Sequence, residues 1–545
     1  MDAYSISVTS PSQRNSSRIY QDLKAAQSSS VVDVAASVDI LARYAEFKNR
    51  MEQGSPHIGV IGAGLAGLRC ADVLLGLGFQ VTILEARDRI GGRLHQEELS
   101  NGHWIDVGPN WIHGTVDNPM MELAKETNTR IGRWDSEAWT FDESGKLLPL
   151  EASEACAATM WDIIKEAFEY SNKHCQEIDS QKSLFDYFEE KVAEHVPETT
   201  TGWQATRHTV LQMSRLWGAF VGSPITKQSL KYFWLEECLD GENLFCAGTY
   251  KKILEKIAAP ARLGADIVYG AKVTEIYGKS AGTGNNTVNV IAANSRVFEF
   301  DEVVATLPLG WLKKHLRAFV PPLPSRLAKA IQAIGYGCLE KVYISFPKAF
   351  WLKPGGSGRK FQGFCQWLAP EYAANTNPQR WTNEVVELAS LSPADAHPTL
   401  LFYIYGEESQ HITSRVASCS AKDEKDAFLF DFFRPYYSRL PQYDPTNPDC
   451  QPTGSFATDW LNDEFAGNGS YSNFQVGLEE GDADLRAMRE GIPAEGIWLA
   501  GEHTAPFVAL GTATGAYWSG DIVARRLARA YGRSGEVDAP LLGRE

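Results

Sequence analysis

Two glycine turns at opposite ends of the chain, each set behind a short apolar strand, constrain this 545-residue sequence more than any other feature. In the first, Ile58–Ile61 has the continuous apolar character of a buried parallel strand and runs into Gly62-Ala63-Gly64-Leu65-Ala66-Gly67. In that G-x-G-x-x-G pattern Gly62 permits the sharp turn, Gly64 lets a phosphate reach the backbone, and Gly67 lets a helix pack tightly on the strand. A helix is expected over Leu65–Leu77, stopping at Gly78, with its free N–H groups and positive dipole end turned to the phosphates. Gln80–Leu84 then reads as a second strand with Glu85 at its tip, where a carboxylate receives ribose hydroxyls. The second turn lies in Gly496–Gly520, where a short apolar strand, Gly501-Glu502 and a small-residue helix start follow one another. Together the halves predict a dinucleotide, FAD, held by a discontinuous domain.

The stretch after Glu85 supports FAD over NAD. Ala86, Arg87, Gly92 and Arg93 combine glycines for close backbone approach with guanidinium groups suited to a pyrophosphate. An acid at position 85 disfavours a 2′-phosphate, and no second G-x-G-x-x-G is present for NADPH. Next comes Gly108-Pro109-Asn110-Trp111-Ile112-His113-Gly114.

With these residues the chain resembles the flavin-containing amine oxidase family, and its polyamine oxidase branch more than the monoamine oxidases. The resemblance spans about residues 55–530 and is densest at 58–114, 240–311, 336–346 and 460–520. It implies an α/β fold in which a discontinuous Rossmann-like FAD-binding domain interleaves with an α+β substrate domain. The expected division is an extension at 1–54, partly disordered with one helix within Val31–Arg50, FAD-binding parts at 55–134, 248–325 and 453–530, substrate-domain parts at 135–247, mostly helical in pattern, and 326–452, with β-rich stretches at Lys341–Phe346 and Thr399–Tyr405, and a tail at 531–545. The length alone calls for more than one core.

The resemblance also assigns residues. Lys341 matches a lysine that holds a water beside flavin N5. The backbone at Val273 matches the adenine site, and Gly501, Glu502, Thr512 and Ala513 match the second cofactor motif. His113 matches a substrate-facing position. Tyr471 matches one wall of an aromatic cage that brackets the amine. Thr512 falls on the other wall, where several relatives carry tyrosine, so the cage is expected to be wider and to admit a polyamine or a bulky amine. Ser470 stands where monoamine oxidases carry the cysteine that tethers flavin, which implies non-covalent FAD. The acids Glu236, Glu237, Asp240 and Glu242 read as a solvated charge run.

The expected activity is oxidation of a primary or secondary amine to an imine, with hydride passing to flavin and O2 returning as H2O2. A natural-product oxidative cyclase or desaturase on the same fold, and a non-catalytic flavin-binding protein, are the alternatives. The balance of 52 basic against 68 acidic residues, a net −16, argues against nucleic acid as a partner. Nine dispersed cysteines suit a reducing compartment and suggest no metal site. No run approaches a membrane span of roughly 18 apolar residues. A cytoplasmic monomer or homodimer acting on a small amine is the simplest expectation.

Overall fold

The computed structural model describes residues 54–133, 139–279, 286–354, 358 and 360–533. The chain divides into Met1–Ser55 and Pro56–Glu545, and the account below concerns the second unit. The helix expected within Val31–Arg50 lies outside the described residues.

Five short parallel strands form the first sheet, in the order Ile497–Leu499, Glu302–Ala305, His57–Ile61, Gln80–Leu84, Asp266–Val268. Three of the five carry four or more contiguous buried residues, as a parallel sheet covered on both faces requires. The helices Leu65–Gly76, Lys251–Gly264 and Ala513–Ala530 cover one face with a core that includes Leu68, Leu74, Ile253 and Leu527. A four-stranded sheet closes the other side, ordered Val297–Phe300, Val288–Ala292, Val273–Tyr277, Phe319–Val320. Its Phe300 and Val290 share a core with Ile61 and Val303.

A second large sheet has six strands, ordered Gly454–Ala457, Leu339–Ser345, Thr399–Tyr405, Asn383–Glu387, Phe364–Trp367, Trp139–Phe141. All its pairings are antiparallel except the last. One face packs Val342, Phe402 and Trp367 against Phe432, Phe433 and Tyr436 of the helix Lys422–Tyr437. The other face packs Tyr343, Leu401 and Tyr403 with Ile105 and Phe245. The segment expected to be mostly helical after residue 135 does contain the long helices Leu150–His174, Leu184–His195 and Trp203–Ser214. It also supplies the edge strand Trp139–Phe141, too short for its alternation to be read from sequence.

Candidate active site

The carboxyl ends of the parallel strands gather the glycine motifs at one edge of the first sheet, where open α/β sheets place their ligands. Gly62 adopts φ +106°, a conformation closed to ordinary side chains, and a Cβ at Gly67 would run into the Gly62 carbonyl. A Cβ at Gly64, by contrast, would meet nothing within 4 Å. Gly64 also caps the 12-residue helix Leu65–Gly76 without any side-chain hydrogen bond, and no acid stands in the first turn. Ala66 is buried in that turn. The helix therefore presents an open, uncapped positive end, which fits a pyrophosphate.

Glu85 is buried, and it holds the turn together. Its Oε2 accepts from Ala63 N–H at 2.7 Å and its Oε1 from Arg87 N–H at 2.8 Å. Each oxygen retains a second lone pair for a ribose hydroxyl. The Glu85 carbonyl accepts from Ala271 N–H and the Arg87 carbonyl from Gly270 N–H, which ties the segment leading into Val273 to the strand tip. The Gly91–Gly92 turn folds over the helix start, with Gly91 bridged to Gly64. Arg87 is committed elsewhere: its guanidinium pairs with Asp463 at 2.6 Å and lies over Phe465.

Opposite this turn, Arg93 and Glu502 join the two ends of the chain. Arg93 Nη1 donates to the Ser470 carbonyl at 2.6 Å and to Glu502 Oε1 at 3.2 Å. Glu502 Oε2 accepts from the Ser472 hydroxyl at 2.6 Å. His503 beside it is fully buried, and neither ring nitrogen has a hydrogen-bond partner among the described residues. Burial lowers its pKa to about 4. An orphaned neutral imidazole next to an arginine–carboxylate pair fits a polar group that completes the site. Gly501 precedes it, and its N–H is held by the Ser519 hydroxyl at 2.8 Å.

Lys341 lies in the strand Leu339–Ser345 and is buried, not snorkelling as lysines on apolar strands ordinarily do. Its ammonium donates to the main-chain carbonyls of Gly108 and Asp106. It thus grips the segment Gly108-Pro109-Asn110-Trp111 from below. Burial pushes the Lys341 pKa down, against the pull of the Asp106 and Glu340 carboxylates. Burial likewise pushes the Asp106 carboxyl up, although Gln96 and the Tyr250 N–H donate to it. The Asn110 and Trp111 side chains bind the Tyr403 hydroxyl, Trp111 Nε1 at 2.9 Å.

Arg93, His113, Glu236, Tyr336 and Tyr471 are half-buried. The Tyr471 hydroxyl donates to the Phe220 carbonyl at 2.7 Å. Tyr471 is within electrostatic reach of Glu236, Tyr403 and Glu502. His113 hydrogen bonds Asn243, and burial draws its pKa below the ordinary histidine value. Thr512 caps the helix Ala513–Ala530, accepting from Gly515 N–H at 2.9 Å and donating to the Ala509 carbonyl at 2.7 Å. Its hydroxyl proton is therefore committed, and its methyl is free to line a cage.

The acidic run departs from expectation at one residue. Glu237, Asp240 and Glu242 are exposed, but the tight turn Phe233–Glu236 carries Glu236 inward. There its Oε1 accepts from Phe474 N–H at 3.2 Å, and burial raises its pKa to about 8. A second inward acid, Glu384, was not singled out by sequence. Its signal was a charged residue facing the same way as Val386 in the short apolar strand Asn383–Glu387.

Most of the chain matches a known protein family. Residues 65–528 match the model of the family described as "Flavin containing amine oxidoreductase". The chain is 28% identical over 513 residues to Polyamine oxidase 2 of Arabidopsis thaliana, covering 91% of this chain and 93% of that one. It is 27% identical over 484 residues to Polyamine oxidase 4 of Oryza sativa subsp. japonica, covering 85% and 87%. In fold it is similar to a redesigned double mutant of putrescine oxidase, with a TM-score of 0.62 at 17% identity over 87% of this chain and 99% of that chain. The chain is a member of the flavin-containing amine oxidoreductase family, an FAD-dependent enzyme acting on C–N bonds.

Proposed function

We propose that this enzyme oxidises a primary or secondary amine, polyamine-like or bulky, to an imine. The observation that supports the reading is the buried Lys341 holding the Asp106 and Gly108 carbonyls, together with Arg93 joining the first glycine motif to Ser470 and Glu502. Bound FAD supplies a hydride acceptor at N5 and returns the electrons to O2 as H2O2.

The residues divide the remaining work. Gly62, Ala63, Gly64, Ala66, Gly67, Glu85, Ala86, Gly92 and Arg93 would hold the nucleotide, with Val273 at the adenine, and Arg87 would contribute its main chain alone because its guanidinium is paired with Asp463. Gly108, Pro109, Asn110, Trp111, Gly501, Glu502, Thr512 and Ala513 would complete the cofactor site. Lys341 holds a water at the reacting edge. Tyr471 and the Thr512 methyl flank the amine, and His113 hydrogen bonds it. An amine must be neutral to give up hydride, and the low polarity that lowers the Lys341 and His113 pKa values also favours a neutral substrate nitrogen. Ser470 offers no thiolate, so FAD is held without a covalent bond. The five-stranded sheet would centre the FAD-binding part and the six-stranded sheet the substrate part, with the strand Gly454–Ala457, expected within the last FAD-binding part, paired in the six-stranded sheet instead. Nine free cysteines suit the cytoplasm, as monomer or homodimer. Among the described residues no helix is long and apolar enough to cross a membrane.

The test is anaerobic mixing of the yellow protein with polyamines, monoamines and amino acids, followed by peroxide and aldehyde assays in air. Bleaching by an amine, with peroxide and aldehyde formed together, is expected. Peroxide without aldehyde would mean that the imine is trapped internally. No bleaching by any amine would sink the reading.

A further inference from the structure

Between the strand Gly454–Ala457 and Tyr471 the chain makes a short turn, Glu464–Ala466, that packs against the loop following Glu85. Asp463 both builds this turn and fastens it. Its Oδ1 accepts from Phe465 N–H at 2.9 Å and from Ala466 N–H at 3.2 Å, which caps the turn. Its Oδ2 takes the Arg87 guanidinium at 2.6 Å. Beside it Glu464 pairs with Lys272 at 2.7 Å. The segment is tied twice more, where the Ala466 carbonyl accepts from the Tyr336 hydroxyl and the Ser470 carbonyl from Arg93.

The two cations come from the two segments assigned above to the adenosine half of FAD. Arg87 stands just past Glu85, and Lys272 directly precedes Val273. Between them lies the half-buried Phe465 ring, 5.2 Å from the Arg87 guanidinium carbon and 5.7 Å from the Lys272 ammonium. A ring pinned where the ribose and adenine segments meet keeps apolar area that a purine can cover. The two ion pairs are unequal. Arg87 and Asp463 are 16% and 20% exposed, whereas Lys272 and Glu464 are 42% and 59% exposed, so water and salt weaken the second pair far more. The inner pair is the latch.

We propose that Asp463–Ala466 is a clasp over the adenosine half of bound FAD, latched by Asp463 on Arg87, and that it governs how fast the cofactor leaves. Phe465 covers the adenosine, and Asp463 acts through Phe465 and Arg87 as a positioning residue. This rests on the placement of ribose at Glu85 and adenine at Val273, and it is independent of which amine is oxidised.

The experiment dilutes the holoenzyme and its variants into flavin-free buffer and follows FAD release by the rise in flavin fluorescence. Asp463→Asn can still cap the turn but loses the charge on Arg87, and release should accelerate about 10-fold. Phe465→Leu keeps both ion pairs and removes the ring, and release should accelerate about 5-fold or more, as for a lost base–aromatic stack. Glu464→Gln should change it by less than about 2-fold. Wild-type release in either Asp463→Asn or Phe465→Leu overturns the proposal, and so does a Glu464→Gln effect as large as that of Asp463→Asn. Thermal melts separate a clasp from a prop of the fold: excess FAD should return Asp463→Asn to the wild-type melt, and a melt that stays low overturns the proposal. If Asp463→Asn does not fold, release from Phe465→Leu decides. Wild-type release in Glu85→Ala overturns the adenosine placement itself, a result distinct from the others.

Discussion

The edge of the five-stranded sheet and the face of the six-stranded sheet meet at one site, but they are built on opposite plans. The first offers a ligand its backbone: a positive-φ turn, an uncapped helix start, and a carboxylate whose visible duty is to hold the loop. The second presents side chains from separate strands, brought into line by cross-strand register. Backbone recognition needs glycines at fixed spacing, so it leaves a motif. Side-chain recognition needs only that distant residues share a face, so it leaves almost none. The contrast predicts that damage to the first region abolishes cofactor retention, whereas damage to the second alters chemistry and selectivity with the flavin in place.

Lys341→Met is the strongest test of that division. The variant keeps length and an apolar stem but removes the donors that reach Gly108 and Asp106. FAD should remain, and flavin reduction, reoxidation or both should slow about 100- to 1,000-fold, the usual effect of losing a preorganised electrostatic group. Stopped-flow measurement of both half-reactions checks it. Wild-type rates in both would make Lys341 a packing residue, and loss of FAD would place it on the cofactor side of the comparison.

Glu85→Ala attacks the other region. It frees the Ala63 and Arg87 N–H groups inside the turn as well as any ribose contact. Charged hydrogen bonds are each worth roughly 1.5–3 kcal/mol, so FAD affinity should fall by about 100-fold while turnover recovers in excess FAD. A full complement of flavin after purification would show that the turn holds its shape without the acid.

The same contrast explains what could be read from sequence. The strands Gln80–Leu84 and Thr399–Tyr405 fall where expected, because continuous apolar runs ended by glycine or by a polar segment leave little choice. The helix Leu65–Gly76 ends one residue early, ahead of the positive-φ Gly78. Lys341 was found by resemblance, but nothing in the apolar pattern around it announced that it would be buried on two carbonyls. Glu236 was read as solvated because a charge run hides which member a tight turn carries inward. Glu384 and Gln366 come from different strands, and only the register of the sheet unites them.

The second region also carries a fully buried acid. Glu408 is 1% exposed, and Asn383 Nδ2 donates to its Oε1 at 2.9 Å. The Asn383 Oδ1 atom is buried without a hydrogen-bond partner among the described residues. Burial raises the Glu408 pKa to about 8, well above the ordinary carboxyl range. A folded-state value above the unfolded one stabilises the protein fully below the unfolded pKa, and that contribution is lost as pH rises through 8. Glu408→Gln stays neutral and can donate to Asn383. It should therefore be close to wild type at pH 5 and more stable by about 1–2 kcal/mol at pH 8, discounted from ~1.4 kcal/mol per pH unit. Urea unfolding at the two pH values checks this, and a pH-independent difference would show that Glu408 is ionised throughout.

The smallest effect falls on Thr512, where the two plans overlap. Its hydroxyl caps the helix Ala513–Ala530, a backbone duty, while its methyl is the group proposed to face the amine. Thr512→Ala should cost about 1 kcal/mol, the usual value of an N-cap, and Thr512→Ser should restore nearly all of it. If the methyl also lines the cage, Thr512→Ser should raise KM for a bulky amine a fewfold without changing Tm, since one methylene-sized contact is worth roughly 0.8 kcal/mol. Thermal melts and steady-state kinetics on the pair separate the roles. Unchanged KM in Thr512→Ser, with the stability loss confined to Thr512→Ala, would assign Thr512 wholly to the cofactor-side helix and leave Tyr471 as the single aromatic wall.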